Sequence, residues 1–597
     1  MQVSGWKAVV APAPRAFTFA LVALAACSSA PPVAVRPVPP PRAVAVAPST
    51  APLPAPVAAP VPVAAAPVQV PAASASAGES PGVAARFPDP PVRYRTPAFE
   101  PGHAGFTSNA ELRSLLQGLV RDGEVGATGS NSATTIRLLQ VGSSQTGVPL
   151  EALHFSRAPL GLASTGVTVR PPRPTVLLVG QQHGDEPAGS EALIVIAQEL
   201  ANGRLAALLE RIDVVILPRA NPDGAAAGRR GTASGIDANR DHLLLRTPEA
   251  QAQAQLVREF NPVVVVDAHE FSVLGRYVEK FGAVQRFDAL IQYAMTANLP
   301  PFVGKASEEW FRKPLLQALR AQGLSSEWYY TTSTDNADKR VSMGGVQPDT
   351  GRNVNGLRNA VSFLIETRGV GLGGAHLLRR VHTQVSAITS VLQSAAARAD
   401  DLLKLRHFVD AEVASKACQG EVIVEAAATQ SEYDLLMLDP LTGADMTVNV
   451  AWDSALELAT VKRRVRPCGY WLGADQADAA LRLRALGIQV QRLDEAGALR
   501  GETYAETARE LAARADVRGS IADAGGVLLL KVDLVPALVD VRAGGYYIGL
   551  DQPLANLVVA ALEPDTQSSF AANRILTDLK SQARVLVRPD IRMTPMP

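Results

Sequence analysis

Apolar residues in this chain gather into short β-branched runs, separated by stretches whose apolar positions repeat at helical spacing, from about residue 135 onward. TIRLLQVG (135–142) reads as a strand. PTVLLVG (174–180) reads as a buried one, since a continuous Val/Leu run leaves no polar face for water. PAGSEALIVIAQELANG (187–203) sets Ala192, Leu193, Ile196 and Leu200 on one side of a helix. Three further runs, IDVVILP (212–218), PVVVVDAH (262–269) and AVSFLIET (360–367), have the make-up of strands in a covered sheet. Strands alternating with helices predict an α/β domain. Ala- and Leu-rich helical sequence from Leu378 to about His407 closes it. Beyond residue 408 the runs EVIVEAA, DMTVNVAW and VLLLKVDLV, with a helix-and-strand segment DAALRLRALGIQVQRLD between them, predict a smaller α/β or β-rich accessory domain over residues 408–597, with no catalytic motif.

The first 90 residues have another pattern. Lys7 and Arg15 precede a short apolar core, Ala16–Ala26, as in an export signal. It ends in Leu24-Ala25-Ala26-Cys27, which resembles the bacterial lipobox, so residues 1–27 read as a lipoprotein signal with Cys27 as the lipidated residue. The resemblance, with Ser28 next, implies an exported lipoprotein of the bacterial cell envelope, at the outer membrane facing the periplasm. Residues 28–90 are mostly Ala, Pro, Val and Ser, a composition that packs no core and favours extended conformations; they read as a tether. The domain between them spans residues 91–407.

Charge narrows the partners. Lys+Arg and Asp+Glu both number 57, so no basic field exists to attract nucleic acid, and the membrane is met only through the anchor. No apolar run approaches the ~20 residues of a spanning helix. Besides Cys27 the chain has Cys418 and Cys468, which either pair in an oxidising compartment or remain as two buried thiols.

Three predicted strands end in metal-binding or acid–base residues, and open α/β sheets carry their sites at the carboxyl ends of strands. After VLLVG come His183 and Glu186, three positions apart on a turn entering a helix; VVVVDAH delivers His269, and VSFLIE delivers Glu366. Two histidines and a carboxylate form a hydrolytic zinc set with one coordination position left for water. A second carboxylate must then carry the proton to the leaving amine, and Glu366 is the candidate base.

In order, H-x-x-E, NPDG (221–224), GIDANRD (235–241), D-A-H and a strand ending in Glu resemble the zinc carboxypeptidases of the carboxypeptidase A type, over roughly Arg93 to Asp400. The resemblance implies a mixed, eight-stranded sheet flanked by helices and a peptidase holding a single zinc ion. It implies His183, Glu186 and His269 as ligands, and Asp237 as the hydrogen-bond partner of His183. Asn239 and Arg240 become the grip on the substrate's terminal carboxylate, and Arg230, rather than Arg229, the oxyanion donor. The family's mobile tyrosine has no counterpart between Thr331 and Glu366; Tyr329 and Tyr330 are the nearest. The loop at 342–359, with Arg352 and Arg358, is placed to shape the specificity pocket.

Removal of C-terminal residues from peptides, wall-derived peptides among them, is the function these residues imply. A cell-wall peptide amidase or a deacylase related to succinylglutamate desuccinylase needs a similar zinc set. A non-catalytic binding lipoprotein would have lost a ligand or the base, and neither is missing.

Overall fold

The computed structural model describes residues 78–127, 134–157, 172–521 and 525–596. Cys27, the export segment and the tether up to residue 77 lie outside the described residues.

The predicted strands assemble into one mixed sheet. Its members are β1 (Thr134–Ser143), β2 (Pro149–Arg157), β3 (Thr175–Gly180), β4 (Asp213–Leu217), β5 (Val264–Ser272), β6 (Ala289–Tyr293), β7 (Ser326–Trp328) and β8 (Val361–Val370). They run in the order β1-β2-β4-β3-β5-β8-β6-β7. The central strands β4, β3, β5 and β8 are mutually parallel, and β2 and β6 flank them antiparallel.

Side-chain alternation explains why the central runs lack a polar face. Val176 and Leu178 enter one core cluster, together with Ile196 of helix α1 (Pro187–Asn202) and Ile388 of helix α3 (Leu377–Ala397). Leu177 and Val179 enter another on the opposite face, with Leu256 and Val257 of helix α2 (Pro248–Phe260). Helices thus cover both faces, and each buried Leu or Val withdraws apolar surface worth about 1.5–3 kcal/mol from water.

The C-terminal region is strand-rich. A long hairpin of β9 (Glu421–Leu438) and β10 (Asp445–Val465) joins a five-stranded sheet, and β11 (Gly497–Ala512) pairs with β14 (Val527–Val541) in a seven-stranded one. Between those two, β12 (Arg514–Asp516) and β13 (Gly519–Ile521) form a short hairpin of their own. Sequence on either side of residue 408 shares sheet and core. Val341 pairs with Trp452, and Leu243 and Val354 pack in one cluster with Tyr470 and Ile548. The described residues form one compact unit. Cys418 and Cys468 are joined in a disulfide. No helix among the described residues is long and apolar enough to cross a membrane.

Candidate metal centre and active site

The carboxyl ends of three neighbouring strands build the site. β3 stops at Gly180, and the chain turns through Gln181, held at φ 48°, to bring His183 and Glu186 in just ahead of α1. Gly184 makes that turn possible, because a Cβ there would collide with the carbonyl carbon of Gly224. Asn221 binds the two segments together, donating to the Gln182 carbonyl at 3.1 Å and accepting from the Gly224 amide at 2.9 Å. The NPDG motif is therefore the backing of the ligand turn. His269 comes from β5, and Glu366 is its register partner on β8.

His183 Nδ1 lies 2.7 Å from Glu186 Oε1, and His269 Nδ1 lies 2.7 Å from Glu186 Oε2. The two Nδ1 atoms are 3.1 Å apart, and all three residues are buried. Donors sharing one tetrahedral ion at about 2.1 Å stand roughly 3.4 Å from each other, so these atoms converge as a ligand set does. The far ring nitrogens support that reading. Nε2 of His183 meets Asp237 Oδ1 and Nε2 of His269 meets Asp267 Oδ1, each at 2.9 Å. An N–H donated to a carboxylate on one side leaves the other nitrogen's lone pair for a metal. Two imidazoles and one carboxylate fit zinc.

Electrostatics here are set by burial and pairing. Burial penalises the Glu186 charge, yet His183 and His269 outweigh it and hold the carboxyl well below the usual range. Burial likewise opposes the charge on Asp237, and Arg230 and His183 override it. Glu366 goes the other way. Burial first, and repulsion from Glu186 second, push its carboxyl up to about 7, and its Oε2 is buried without a hydrogen-bond partner.

The arginine pair separates. Arg229 is exposed, whereas Arg230 turns inward, its NH2 2.8 Å from Asp237 Oδ2 and its NH1 3.3 Å from Glu186 Oε1. Asn239 and Arg240 sit on the short turn Ala238–Arg240, which Asp237 caps by accepting the Asn239 amide at 2.9 Å. One carboxylate thus orients His183, Arg230 and the turn carrying Asn239 and Arg240.

The expected ligands, base, oxyanion donor and carboxylate anchors come together. His183, Glu186, Arg230, Asn239, Arg240 and Glu366 line one cleft, with His269 buried behind it. Tyr329 lines that cleft too, its hydroxyl pushed up to about 12 by burial and by Glu366. So does Arg352, whereas Arg358 turns away to the Leu486 carbonyl. Two contributors escaped the sequence reading. Asp267 carried a signal, since a position two before His269 on a strand points to the same face. Asp516, bonded to Arg240 at 2.8 Å, carried none, being 276 positions away on β12.

A triad of this kind at the carboxyl ends of central strands, with a buried carboxylate beside it, is the set that metal-dependent hydrolases use. Residues 127–259 match the zinc carboxypeptidase family, a stretch that includes His183, Glu186 and the GIDANRD segment but stops short of His269 and Glu366. Carboxypeptidase 2 of Trichophyton equinum is 28% identical over 414 residues, covering 66% of this chain and 73% of that protein. Carboxypeptidase D of Mus musculus is 33% identical over 180 residues, covering 24% of this chain and 13% of its own length. Among solved structures, a metallo-carboxypeptidase from Pseudomonas aeruginosa aligns at 21% identity over 49% of this chain and 68% of its own, with a TM-score of 0.34. Over residues 127–259 the chain is similar to the zinc carboxypeptidases, and its ligand set is of the kind such hydrolases use.

Proposed function

We propose that this protein removes C-terminal residues from peptides in the bacterial envelope, with His183, Glu186 and His269 as the zinc ligands. When bound, zinc polarises the scissile carbonyl and makes water a nucleophile near neutral pH. Glu366 takes the proton from the attacking water and returns it to the departing amine. Its buried carboxyl, set by strand register beside His269 and with Oε2 unpartnered, is positioned for both acts. Arg230, tied by Asp237 and directed at the ligand set, stabilises the oxyanion. Asn239 and Arg240 hold the substrate's terminal carboxylate, which a guanidinium grips with two parallel hydrogen bonds. The observation that carries this reading is the unpaired, buried Glu366 carboxylate standing in register with His269.

Peptides released from the cell wall fit an enzyme carried on a long Ala/Pro tether, and the Cys418–Cys468 disulfide fits an oxidising compartment. Incorporation of labelled fatty acid, lost in Cys27→Ala, tests the anchor. The activity is tested by zinc analysis together with turnover of matched peptides bearing a free or an amidated C-terminus. One zinc per chain and cleavage of the free acids only is the expected result; equal cleavage of the amides sinks the carboxypeptidase reading in favour of an amidase.

A further inference from the structure

The Arg240 guanidinium is already partnered, by a residue from the far end of the chain. Its Nε and NH2 donate to Asp516 Oδ2 at 2.9 and 2.8 Å, and its NH1 donates to the Asn239 carbonyl at 2.7 Å. A guanidinium has five N–H bonds. Asp516 takes the Nε edge, so one hydrogen is left on each terminal nitrogen, which is the pair that a carboxylate accepts two-fold.

Asp516 is itself held. Its side chain is buried, and Oδ1 accepts the Arg518 amide at 2.9 Å across the β12–β13 turn. The hairpin is fastened to the sequence around the cleft at two more points: Arg514 NH2 to Asp349 Oδ2 at 2.9 Å, and the Thr334 amide to the Arg518 carbonyl at 3.0 Å. Val517 and Arg518 of this hairpin line the same cleft as Glu366, His183 and Glu186.

We propose that the β12–β13 hairpin is part of the substrate site and that Asp516 is a positioning residue. It clamps the Nε edge of Arg240 so that the two free N–H bonds face the incoming terminal carboxylate. This rests on the reading of Arg240 as the carboxylate anchor. An unclamped arginine has several rotamers to choose from, and fixing one in advance removes that cost from substrate binding. Asp516 also offsets part of the Arg240 charge, an effect opposite in sign. Substitution separates the two, because Asn at 516 keeps an acceptor and drops the charge, whereas Ala removes both.

The test uses the full-length, zinc-loaded enzyme and an N-acylated dipeptide with a free C-terminal carboxylate. Asp516→Ala should raise KM about tenfold with kcat within threefold of wild type, and Asp516→Asn should leave KM within threefold or lower it. Calorimetric titration of the same dipeptide into Glu366→Gln and Glu366→Gln/Asp516→Ala should show the tenfold loss without turnover. Should Asp516→Ala not fold, Asp516→Glu, which pushes the guanidinium aside, must raise KM. Unchanged or lowered KM and Kd in Asp516→Ala, or in Asp516→Glu where it stands in, overturn the proposal, and so does an equal fall in kcat. A wild-type enzyme indifferent to amidation of the terminal carboxylate would instead sink the reading of Arg240 as anchor.

Discussion

Single residues carry the chemistry, and their behaviour is set by what each is buried against. Glu366 has its carboxylate beside the ligand set with Oε2 unpartnered, so Glu366→Gln keeps the shape and removes the proton carrier. We expect kcat to fall about 10²–10⁴-fold with zinc content unchanged, checked by kinetics and metal analysis on the same preparation. His242 offers a stability test away from the reaction. It is buried with Nε2 2.8 Å from Gln182 Oε1, and burial, only partly offset by Asp267, lowers its pKa to about 4. The folded protein therefore keeps it neutral where the unfolded chain, titrating near 6.5, binds a proton. Stability rises with pH wherever the unfolded state holds more protons. His242 thus costs nothing above about pH 6.5, and its penalty grows on acidification to about pH 4, reaching at most about 3 kcal/mol. Urea unfolding at pH 7.5 and 4.5 should show a smaller acid loss in His242→Gln than in wild type; equal losses would refute the assignment. His183, Glu186, His269 and Glu366 were legible in the sequence because each comes after an apolar run that stops in a polar residue. The role of Asp267 was half legible, and that of Asp516 was not.

Elements explain why those residues converge. Strand bounds read from β-branched runs match the structure closely where the strand is covered on both faces, as in 174–180 against Thr175–Gly180. The C-terminal ribbons do not match. β9 and β10 extend over 18 and 21 residues, well beyond the apolar segments that announced them. In a ribbon with much of its surface in water, cross-strand backbone hydrogen bonds set the length, and side-chain patterning leaves little trace. The ligand turn is the element most exposed to a small change. Gly184→Ala would press a Cβ into the Gly224 backbone, where no flexible side chain can yield. The turn must then move, and we expect about 3 kcal/mol or more of lost stability together with substoichiometric zinc. A variant with wild-type unfolding and full zinc would show that the close approach is not required.

At the scale of the molecule, the C-terminal region beyond residue 408 is bound into the rest. β10 pairs with the strand at Val341–Met343, the β12–β13 hairpin reaches Arg240, and the disulfide ties the end of helix Ala399–Ser415 to the seven-stranded sheet. Closing a loop of 50 positions restricts the unfolded chain by about 4 kcal/mol in the chain-entropy account. Replacing Cys418 and Cys468 by Ser should therefore cost about 2–4 kcal/mol in urea unfolding, and an unchanged midpoint would argue against any stabilising role for the bridge. The amino-acid sequence alone determined the order of strands and helices, the motif residues and the chemistry they offer, because periodicity and residue type act over a few neighbouring positions. Only the tertiary structure decided that Glu366 stands beside His269, that the Nδ1 atoms face one point, and that an aspartate 276 positions away holds Arg240. Such contacts depend on sheet register and on where a hairpin lands, and the closure of a long loop leaves no local signature in the residues it joins.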